Sequence, residues 1–303
     1  MTFETFKAAI APIPLWAVFG LLGAFLSSTQ MLIQDRLKAP AFPLAFWNKV
    51  TCVAVMTPFV FATGLPTNPL FYVLLATQAL LWVISDVVFF KGIKEVGAGI
   101  VSRVLPMAPL ISFFLWFALD PHLIKTYAAM PWRSAGIVGV FCLTAFFAWN
   151  LRSCAITKKA LKIVWFTLFA SVVGTVFTKS ITLQADVETG VFGYVFAEAL
   201  IMIAMWLVFY AVKRPLPAAE MFGLRAIRAG GAVGLVSAFT VAAVLFAYYH
   251  VDNPAYVPAV RYLDTVIIFF AYRAMGRPNE GRLWASFGIV ACAAALVFLK
   301  AHS

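Results

Sequence analysis

The stretch WRSAGIV at residues 132–138 occurs a second time as WASFGIV at residues 284–290, with five of its seven positions identical at an offset of 152. Other identical residues pair in the same order at offsets of 149 to 157: Trp16 with Trp165, Thr29 with Thr178, Phe42 with Phe192, Phe46 with Phe196, Phe89 with Phe246, Ala98 with Ala255 and Phe113 with Phe270. The offset changes only where a loop can differ in length. The chain is therefore predicted to contain two copies of one unit, residues 1–160 and 161–303.

The composition places both copies in a membrane. Hydrophobic residues make up 63% of the 303 residues, charged residues make up 12%, and the mean hydropathy is +0.95. Soluble domains carry about 25% charged residues, and no stretch of this chain is polar enough to form one. The net charge of +11 does not indicate nucleic-acid binding. Most of the basic residues lie in short loops between apolar segments, as is typical of membrane proteins.

Ten apolar segments of 19 to 23 residues follow one another along the chain: 13–34, 43–63, 70–91, 97–119, 132–150, 163–184, 190–212, 230–250, 254–274 and 283–301. This length suits a helix that crosses roughly 30 Å of hydrocarbon. The segments are continuously apolar, whereas a lipid-exposed barrel strand alternates over about ten residues. The first segment has no basic flank and no small-residue cleavage site, so it is expected to be a retained helix and not a signal peptide.

The odd number of segments in each copy sets their relative orientation. After five segments the chain lies on the other side of the membrane, so the second copy is inverted, as in many secondary transporters. The predicted fold is an all-α integral membrane protein with ten transmembrane helices in two inverted five-helix repeats. Two such halves can enclose a cavity, so a monomer is sufficient. Small residues, among them Gly139, Gly230, Gly231 and Gly234, predict close approach of helix backbones.

Basic residues are unequally divided between the two ends of the predicted helices. One set of loops holds fifteen Lys and Arg residues, and the opposite end holds four: Lys7, Lys125, Arg133 and Lys300. Basic loops stay in the cytoplasm. This distribution predicts a multi-pass protein of the bacterial inner membrane with both termini in the periplasm.

Two motifs give the chain a family resemblance. The stretch FFKGIKEVGAGIVSRVLPMAPLISFFLWF at 89–117 and the pair WRSAGIVGV and WASFGIVAC resemble the ten-helix EamA-type branch of the drug/metabolite transporter superfamily. The resemblance extends over nearly the whole chain. It implies a secondary transporter with a central cavity between the halves, often one that exports amino acids or other small metabolites. It also implies a proline midway along the fourth helix, matched here by Pro106 and Pro109.

The sequence departs from this family in two respects. The ninth helix usually repeats the mid-helix proline, but the corresponding stretch here is Tyr262-Leu263-Asp264. Members of the branch also usually keep both termini in the cytoplasm, against the charge distribution of this chain. Pro106 and Pro109 can bend the fourth helix, and the bend is predicted to act as a hinge, although a static bend would have the same sequence.

Ionisable residues inside apolar helices mark the candidate substrate site, because each costs at least about 2.5–3.5 kcal/mol at the bilayer centre. The candidates are Lys49, Asp86, Arg103, Lys179, Glu198, Arg261, Asp264 and His250. The repeat predicts two ionic layers that flank a central site. Asp86 and Arg103 are expected to close the inner side. Glu198 is expected to close the outer side with Arg261 and Asp264.

A structural role is the alternative for each of these residues. Asp86 and Arg103 can form a permanent pair between adjacent helices. Arg261 and Asp264, three positions apart, can neutralise each other on one helix face. Lys49 can extend its ammonium to the membrane interface instead of entering a site.

Gln78, Trp82 and Asp86 recur every four residues and therefore share one face of the third helix. An amide, an indole and a carboxylate on one stripe suit an amine or a zwitterion as substrate. Asp86 or Glu198 can also carry a proton, so exchange of substrate for protons is expected. Trp82 is equally compatible with a packing or membrane-interface role.

No catalytic set is present in the sequence. His122, His250 and His302 are isolated, and there is no HExxH, GxSxG or P-loop motif. Four cysteines show no CxxC spacing, so neither a disulfide nor a metal site is predicted. These observations argue against an enzyme, a cofactor and an ATP-driven pump.

The predicted function is secondary active transport of a small polar or amphipathic metabolite, an amino acid or related amine, across the inner membrane and in the export direction. A flippase of a lipid or lipid-linked headgroup is one alternative, but Asp86, Glu198 and Asp264 would repel a phosphate. A non-transporting membrane protein on a transporter scaffold is the other alternative. The expected partners are a small-molecule substrate, protons and membrane lipid.

Overall fold

A computed structural model describes residues 14–98, 101, 108–150, 158–276 and 282–301. Helices are the only regular secondary structure in these ranges. In chain order they are α1 (Leu15–Leu37), α2 (Ala41–Thr63), α3 (Pro69–Val96), α4 (Ala108–Leu119), α5 (His122–Ala128), α6 (Pro131–Asn150), α7 (Lys158–Thr182), α8 (Val187–Lys213), α9 (Ala218–Met221), α10 (Leu224–Tyr249), α11 (Tyr256–Arg261), α12 (Leu263–Ala274) and α13 (Leu283–Ala301).

Seven stretches within the described ranges are long and apolar enough to cross a membrane: Leu15–Leu37, Ala41–Thr63, Pro69–Val96, Pro131–Asn150, Val187–Lys213, Ala218–Tyr249 and Leu283–Lys300. The chain is therefore an all-helical protein with the character of a membrane protein. Of the other three predicted spans, one overlaps the shorter apolar helix α4, one overlaps α7, and one is divided into α11 and α12. The count of ten spans remains a prediction.

Helix boundaries follow local chemistry. The side chain of Asn68 accepts a hydrogen bond from the backbone N–H of Leu70 and Pro69 occupies the first turn of α3, where its missing N–H costs nothing. Gly64 and Gly97 end α2 and α3 with positive φ angles of 83° and 87°, a conformation that glycine adopts without strain. The connection between α8 and α10 contains the one-turn helix α9, and α10 begins at Leu224.

The loops meet at two ends of the helix bundle. At one end Asn68 donates to Gln184 (3.1 Å) and Tyr127 and Tyr256 share a hydrogen bond of 2.7 Å. At the other end a hydrophobic cluster joins the ends of four helical segments through residues that include Ala39, Ile93, Met221 and Tyr272. The loops near this cluster carry most of the described lysines and arginines, and we call it the basic end.

Small residues on α10 allow the closest helix contacts around the site. A Cβ atom on Gly230 would lie 2.2 Å from the Cβ of Trp47, and one on Gly234 would lie 2.6 Å from the backbone oxygen of Asn48. Only glycine allows α10 to approach α2 this closely. The prediction of close packing was wrong at Gly139, where an added Cβ would meet nothing within 4 Å.

The principal helix contacts place α1, α2, α3, α7, α8 and α10 around the centre. In this arrangement α10 packs against α1 and α2, α3 packs against α7 and α8, and α2 packs against α8. The divided pair α11 and α12 packs against α1, α4 packs against α7, and α6 packs against α13. The centre of the bundle is therefore walled by helices from both ends of the sequence.

Candidate functional site

A cavity of about 180 Å³ lies among these central helices. Its polar lining comes from helices in both sequence halves: Ser27, Gln30, Asn48, Lys49, Ser85, Asp86, Thr167, Ser171, Thr175, Thr178, Tyr194, Glu198, Ser237, Thr240, Tyr248, Arg261 and Tyr262. Trp82, Phe89 and Phe90 provide aromatic surface beside them. The cavity thus combines charged, hydroxyl and aromatic groups inside an otherwise apolar protein, as in a small-molecule site.

Three ionisable side chains form the centre of the lining. Lys49 Nζ donates to Glu198 Oε2 at 2.8 Å and lies 3.7 Å from Asp86 Oδ2. Lys49 and Glu198 have side-chain exposures of only 8% and 5%, whereas Asp86 is 22% exposed. Glu198 is therefore tied to the lysine by a hydrogen-bonded ion pair. Asp86 stands beyond hydrogen-bond distance and remains the more accessible carboxylate.

Lys49 does not extend to the membrane interface. Lys49 lies on α2, which packs closely against α10 at Gly234. Helix α8 also packs against α2 and contributes Glu198. An ammonium in this environment requires a hydrogen-bonded counter-ion. The interfacial alternative for Lys49 is therefore wrong.

The expected division into two ionic layers is also corrected. Glu198 was expected to close the outer side with Arg261 and Asp264, but its ion-pair partner is Lys49. Lys49 bridges it to Asp86, which was assigned to the inner side. The physical reason is that α2 packs against both α3 and α8, so these three side chains meet at one level. Arg103, the predicted partner of Asp86, lies outside the described residues.

The divided helix α11–α12 brings a second charged group to the cavity. Tyr262, with φ −68° and ψ 0°, interrupts the helix between Arg261 and Leu263. Arg261 ends α11 and Asp264 lies in the first turn of α12, where each charge is favourable to the adjoining helix dipole. Arg261 lines the cavity, and its buried Nε atom has no hydrogen-bond partner among the described residues.

Asp264 lies behind the cavity wall. Ser27 Oγ donates to Asp264 Oδ2 at 3.1 Å, and Thr265 Oγ1 donates to Oδ1 at 3.3 Å. Ser27 lines the cavity but Asp264 does not. Asp264 therefore orients Ser27 and adds negative charge near Arg261 without offering an oxygen to a ligand.

Of the stripe on α3, Trp82 and Asp86 reach the cavity and Gln78 does not. The Gln78 amide donates to Gly174 O (3.0 Å) and Thr178 Oγ1 (2.8 Å) and accepts from the Tyr194 hydroxyl (2.9 Å). All of these partners are protein groups, so Gln78 holds Thr178 and Tyr194 in the wall. Direct substrate contact by Gln78 is not compatible with this arrangement.

The described residues do not test the hinge predicted at Pro106 and Pro109. Pro106 lies outside the described residues, as Arg103 does. Pro109 is buried in α4, at the second described position of the helix. Its role as a hinge stays a prediction.

A hydroxyl-bearing wall was missed in the sequence. Thr167, Ser171, Thr175 and Thr178 all line the cavity from α7, and spacings of four, four and three residues place them on one helix face. This spacing of hydroxyl residues is visible in the sequence of an otherwise apolar segment. The buried Thr167 Oγ1 has no hydrogen-bond partner within the part of the chain that the structure describes.

No group of three or more His, Cys, Asp or Glu side chains in the described ranges is arranged to hold a metal ion. Cys52, Cys142 and Cys292 have free thiols, and Cys154 lies outside those ranges. The chemistry that the lining does offer is charge recognition and hydrogen bonding.

Comparison with known proteins shows a shared fold. No model of a protein family matches the chain, and no curated protein matches its sequence. Among solved structures 23 chains match. One of them, described only as "Crystal structure of protein", is 14% identical and has a TM-score of 0.61, covering 94% of this chain and 96% of the other. At this identity the similarity shows a shared fold over nearly the whole chain, and it carries no function.

Proposed function

We propose that this protein is a secondary active transporter that moves a small polar or amphipathic metabolite, an amino acid or related amine, through the central cavity. The observation that carries the proposal is the buried lining with its one under-neutralised carboxylate, Asp86. Glu198 takes the close contact of Lys49 at 2.8 Å, and Asp86 is left at 3.7 Å. An ammonium group or a proton is the natural ligand for such a carboxylate.

The charge of the described lining supports a substrate with no net charge. Two carboxylates, Asp86 and Glu198, and two cations, Lys49 and Arg261, line the cavity, so two minus two leaves no net charge when all four are ionised. A zwitterion keeps this balance, whereas a phosphate headgroup would add a negative charge beside the two carboxylates. The lining therefore supports a zwitterion over the lipid flippase alternative.

Two unsatisfied donors support a zwitterion over a simple amine. Arg261 and Thr167 both line the cavity, and neither Arg261 Nε nor Thr167 Oγ1 has a hydrogen-bond partner among the described residues. Buried donors without partners cost about 1–3 kcal/mol each, and a bound carboxylate would remove that cost. An amino acid therefore fits with its ammonium group at Asp86 and its carboxylate at Arg261 and Thr167.

The packing supports two inverted repeats that alternate in access. In the proposed repeat, α1, α2, α3 and α4 correspond to α7, α8, α10 and α11. The contacts of α1 with α10, α2 with α10 and α1 with α11 then correspond to those of α7 with α3, α8 with α3 and α7 with α4. All six contacts occur. Side chains join the predicted halves at the end opposite the basic end, at Tyr127–Tyr256 and Asn68–Gln184. Contacts of this kind would break when that end opens.

The same proposal has five further parts. They are the EamA-type assignment, the ten spans, the export direction, proton exchange and the inner-membrane orientation with periplasmic termini. Proton exchange fits Asp86 better than Glu198, because the 2.8 Å ion pair with Lys49 already occupies the Glu198 carboxylate. Binding of a proton and of an ammonium group at one carboxylate would be mutually exclusive. That exclusion is the physical basis of exchange.

Replacement of Asp86 by Asn is expected to abolish ligand binding while the protein stays folded. The measurement is a thermal-shift screen of detergent-purified protein against amino acids, amines, nucleosides, organic acids and lipid headgroups. Wild type should gain several degrees in melting temperature with an amino acid or amine, and Asp86→Asn should gain none. Glu95→Gln is the matched control, because it removes one exposed carboxylate from the same helix and should respond as wild type does.

Equal stabilisation of Asp86→Asn and wild type would remove Asp86 from the site. Stabilisation by lipid headgroups alone would favour the flippase alternative.

Replacement of Arg261 separates amino acids from amines. Hydrogen bonds to charged groups contribute about 1.5–3 kcal/mol, so Arg261→Gln should weaken amino-acid binding roughly 10- to 100-fold and leave binding of the corresponding decarboxylated amine within about threefold. Isothermal titration of both ligands measures this difference. Arg261→Lys keeps a charge beside Asp264 and is the variant to use if Arg261→Gln does not fold. Arg273→Gln, at the exposed end of α12, is the control. Equal weakening of both ligands would contradict the placement of the carboxylate at Arg261.

A further inference from the structure

A basic and apolar patch lies where α8 passes into α10, and none of its residues lines the cavity. Its basic members are Lys213 and Arg214 at the end of α8 and Arg225 and Arg228 at the start of α10, and all four are exposed. Glu220 is the only acidic residue between Lys213 and Arg228. Four positive charges against one negative charge leave a local excess of three.

Exposed apolar side chains accompany these charges. Phe222 is 44% exposed and Leu224 is 60% exposed. Lys213, Arg214, Phe222, Leu224, Arg225 and Arg228 together form what we call the interfacial patch. Arg225 and Arg228 are three positions apart on α10 and therefore point to one side of the helix. Apolar groups beside cations at the end of an apolar helix match the boundary between acyl chains and headgroups.

The patch is held in a fixed shape. Trp47 Nε1 donates to the backbone oxygen of Met221 at 2.8 Å, and the Met221 side chain is fully buried. The ring of Phe222 makes edge contacts with Trp47 and Tyr210 at centroid distances of 6.4 and 5.8 Å. The connection is thus anchored to α2 and α8. Its cations lie at the ends of two helices on either side of this anchored connection.

No ion pair among the described residues joins the patch's Lys213, Arg214, Arg225 or Arg228 to a carboxylate. By contrast, Lys91 on the same end of the bundle lies 3.8 Å from Glu95. The exposed cations of the patch are therefore accessible to an anion from outside the chain.

We propose that the interfacial patch binds the anionic headgroup of a membrane phospholipid. The phosphodiester accepts hydrogen bonds from Arg225 and Arg228, and the upper acyl carbons contact Phe222 and Leu224. Clusters of four or more basic residues beside a membrane helix attract anionic lipid, and each contributes about fivefold to the affinity near the surface. The site is independent of the proposed transport function.

The test is a native mass spectrometry titration of the full-length protein in detergent with two lipids that share dioleoyl chains. One is phosphatidylglycerol, which is anionic, and the other is phosphatidylcholine, which is not. Wild type should bind phosphatidylglycerol more tightly. The double variant R225Q/R228Q should bind it roughly 30-fold more weakly, since two contributions of about fivefold are lost. The control K91Q/K94Q removes two charges from the same end and should stay within about threefold of wild type.

Equal affinity of wild type for the two lipids would overturn the proposal, and so would unchanged phosphatidylglycerol binding in R225Q/R228Q. If that variant does not fold, K213Q/R214Q removes two charges outside α10 and carries the same expectation. The melting temperature without added lipid reports folding of each variant. Affinity should also fall as salt is raised, because the Debye length shrinks from about 10 Å at 0.1 M to about 3 Å at 1 M.

Discussion

Replacement of Lys49 by methionine is expected to lower the free energy of unfolding by about 3–5 kcal/mol, because it leaves the buried Glu198 carboxylate without its counter-ion. The ion pair is 2.8 Å long and both side chains are less than a tenth exposed. Methionine keeps a similar volume, so the loss of packing is small. Unfolding of purified protein in detergent, followed by circular dichroism, measures the change.

The double variant K49M/E198Q separates the effect of the unpaired Glu198 charge from the effect of changed side-chain packing. Removal of both partners should recover at least half of the lost free energy, since no uncompensated buried charge remains apart from the more exposed Asp86. Lys94→Met, an exposed change on α3, should be nearly silent. If K49M and K49M/E198Q unfold alike, or if K49M is as stable as wild type, the Lys49–Glu198 pair is not the counter-ion system described above.

Replacement of Gly234 by alanine is expected to destabilise the protein by about 1–3 kcal/mol, the usual cost of an overpacked contact. An added Cβ would lie 2.6 Å from both the backbone oxygen of Asn48 and the Cβ of Thr51. Neither is the far end of a flexible chain, so α2 and α10 must separate. Lys49 follows Asn48 in α2, and its position beside Glu198 would change as well.

Gly231→Ala provides a matched control three residues earlier in the same helix. The nearest atom to its added Cβ is Thr51 Oγ1 at 3.9 Å, an ordinary contact. Alanine is favoured over glycine in a helix by about 0.8–1.0 kcal/mol, so this variant should be as stable as wild type or more so. Ligand binding should weaken in Gly234→Ala and persist in Gly231→Ala. Equal stability and binding in the two variants would contradict the role of the α2–α10 contact.

The sequence was sufficient for the helical class and for several cavity residues. Apolar segments of span length and buried charges are strong signals, and Trp82, Asp86, Glu198 and Arg261 all line one cavity. Their roles in transport remain predictions. The hydroxyl wall of α7 followed a regular spacing and was predictable from the sequence, although it was overlooked.

The ion-pair partner of Glu198 could not be predicted from the repeat. Repeat equivalence relates Glu198 to Asn48, but it does not say at which turn α2 and α8 meet. That level is set by helix packing, in which Gly230 and Gly234 fix how closely α10 holds α2. A shift of one helical turn would carry Lys49 about 5.4 Å along the helix.

The roles of Gln78 and Asp264 were likewise hidden from the sequence. Both are polar residues in apolar segments and were predicted to contact substrate. The structure instead pairs Gln78 with Thr178 and Tyr194, and Asp264 with Ser27. Each buried polar group needs partners, and whether they are protein or ligand depends on the neighbouring helix. The two residues shape the wall that a substrate would contact.

Transport in proteoliposomes tests the central claim most directly. Vesicles that contain the protein are loaded with a mixture of radiolabelled L-amino acids, and efflux is followed after a pH gradient is imposed. Wild type and Glu95→Gln are predicted to accelerate efflux of at least one amino acid, whereas Asp86→Asn is predicted to show no more efflux than protein-free vesicles. Efflux through Asp86→Asn at the wild-type rate would contradict the assignment of Asp86 as the substrate and proton site.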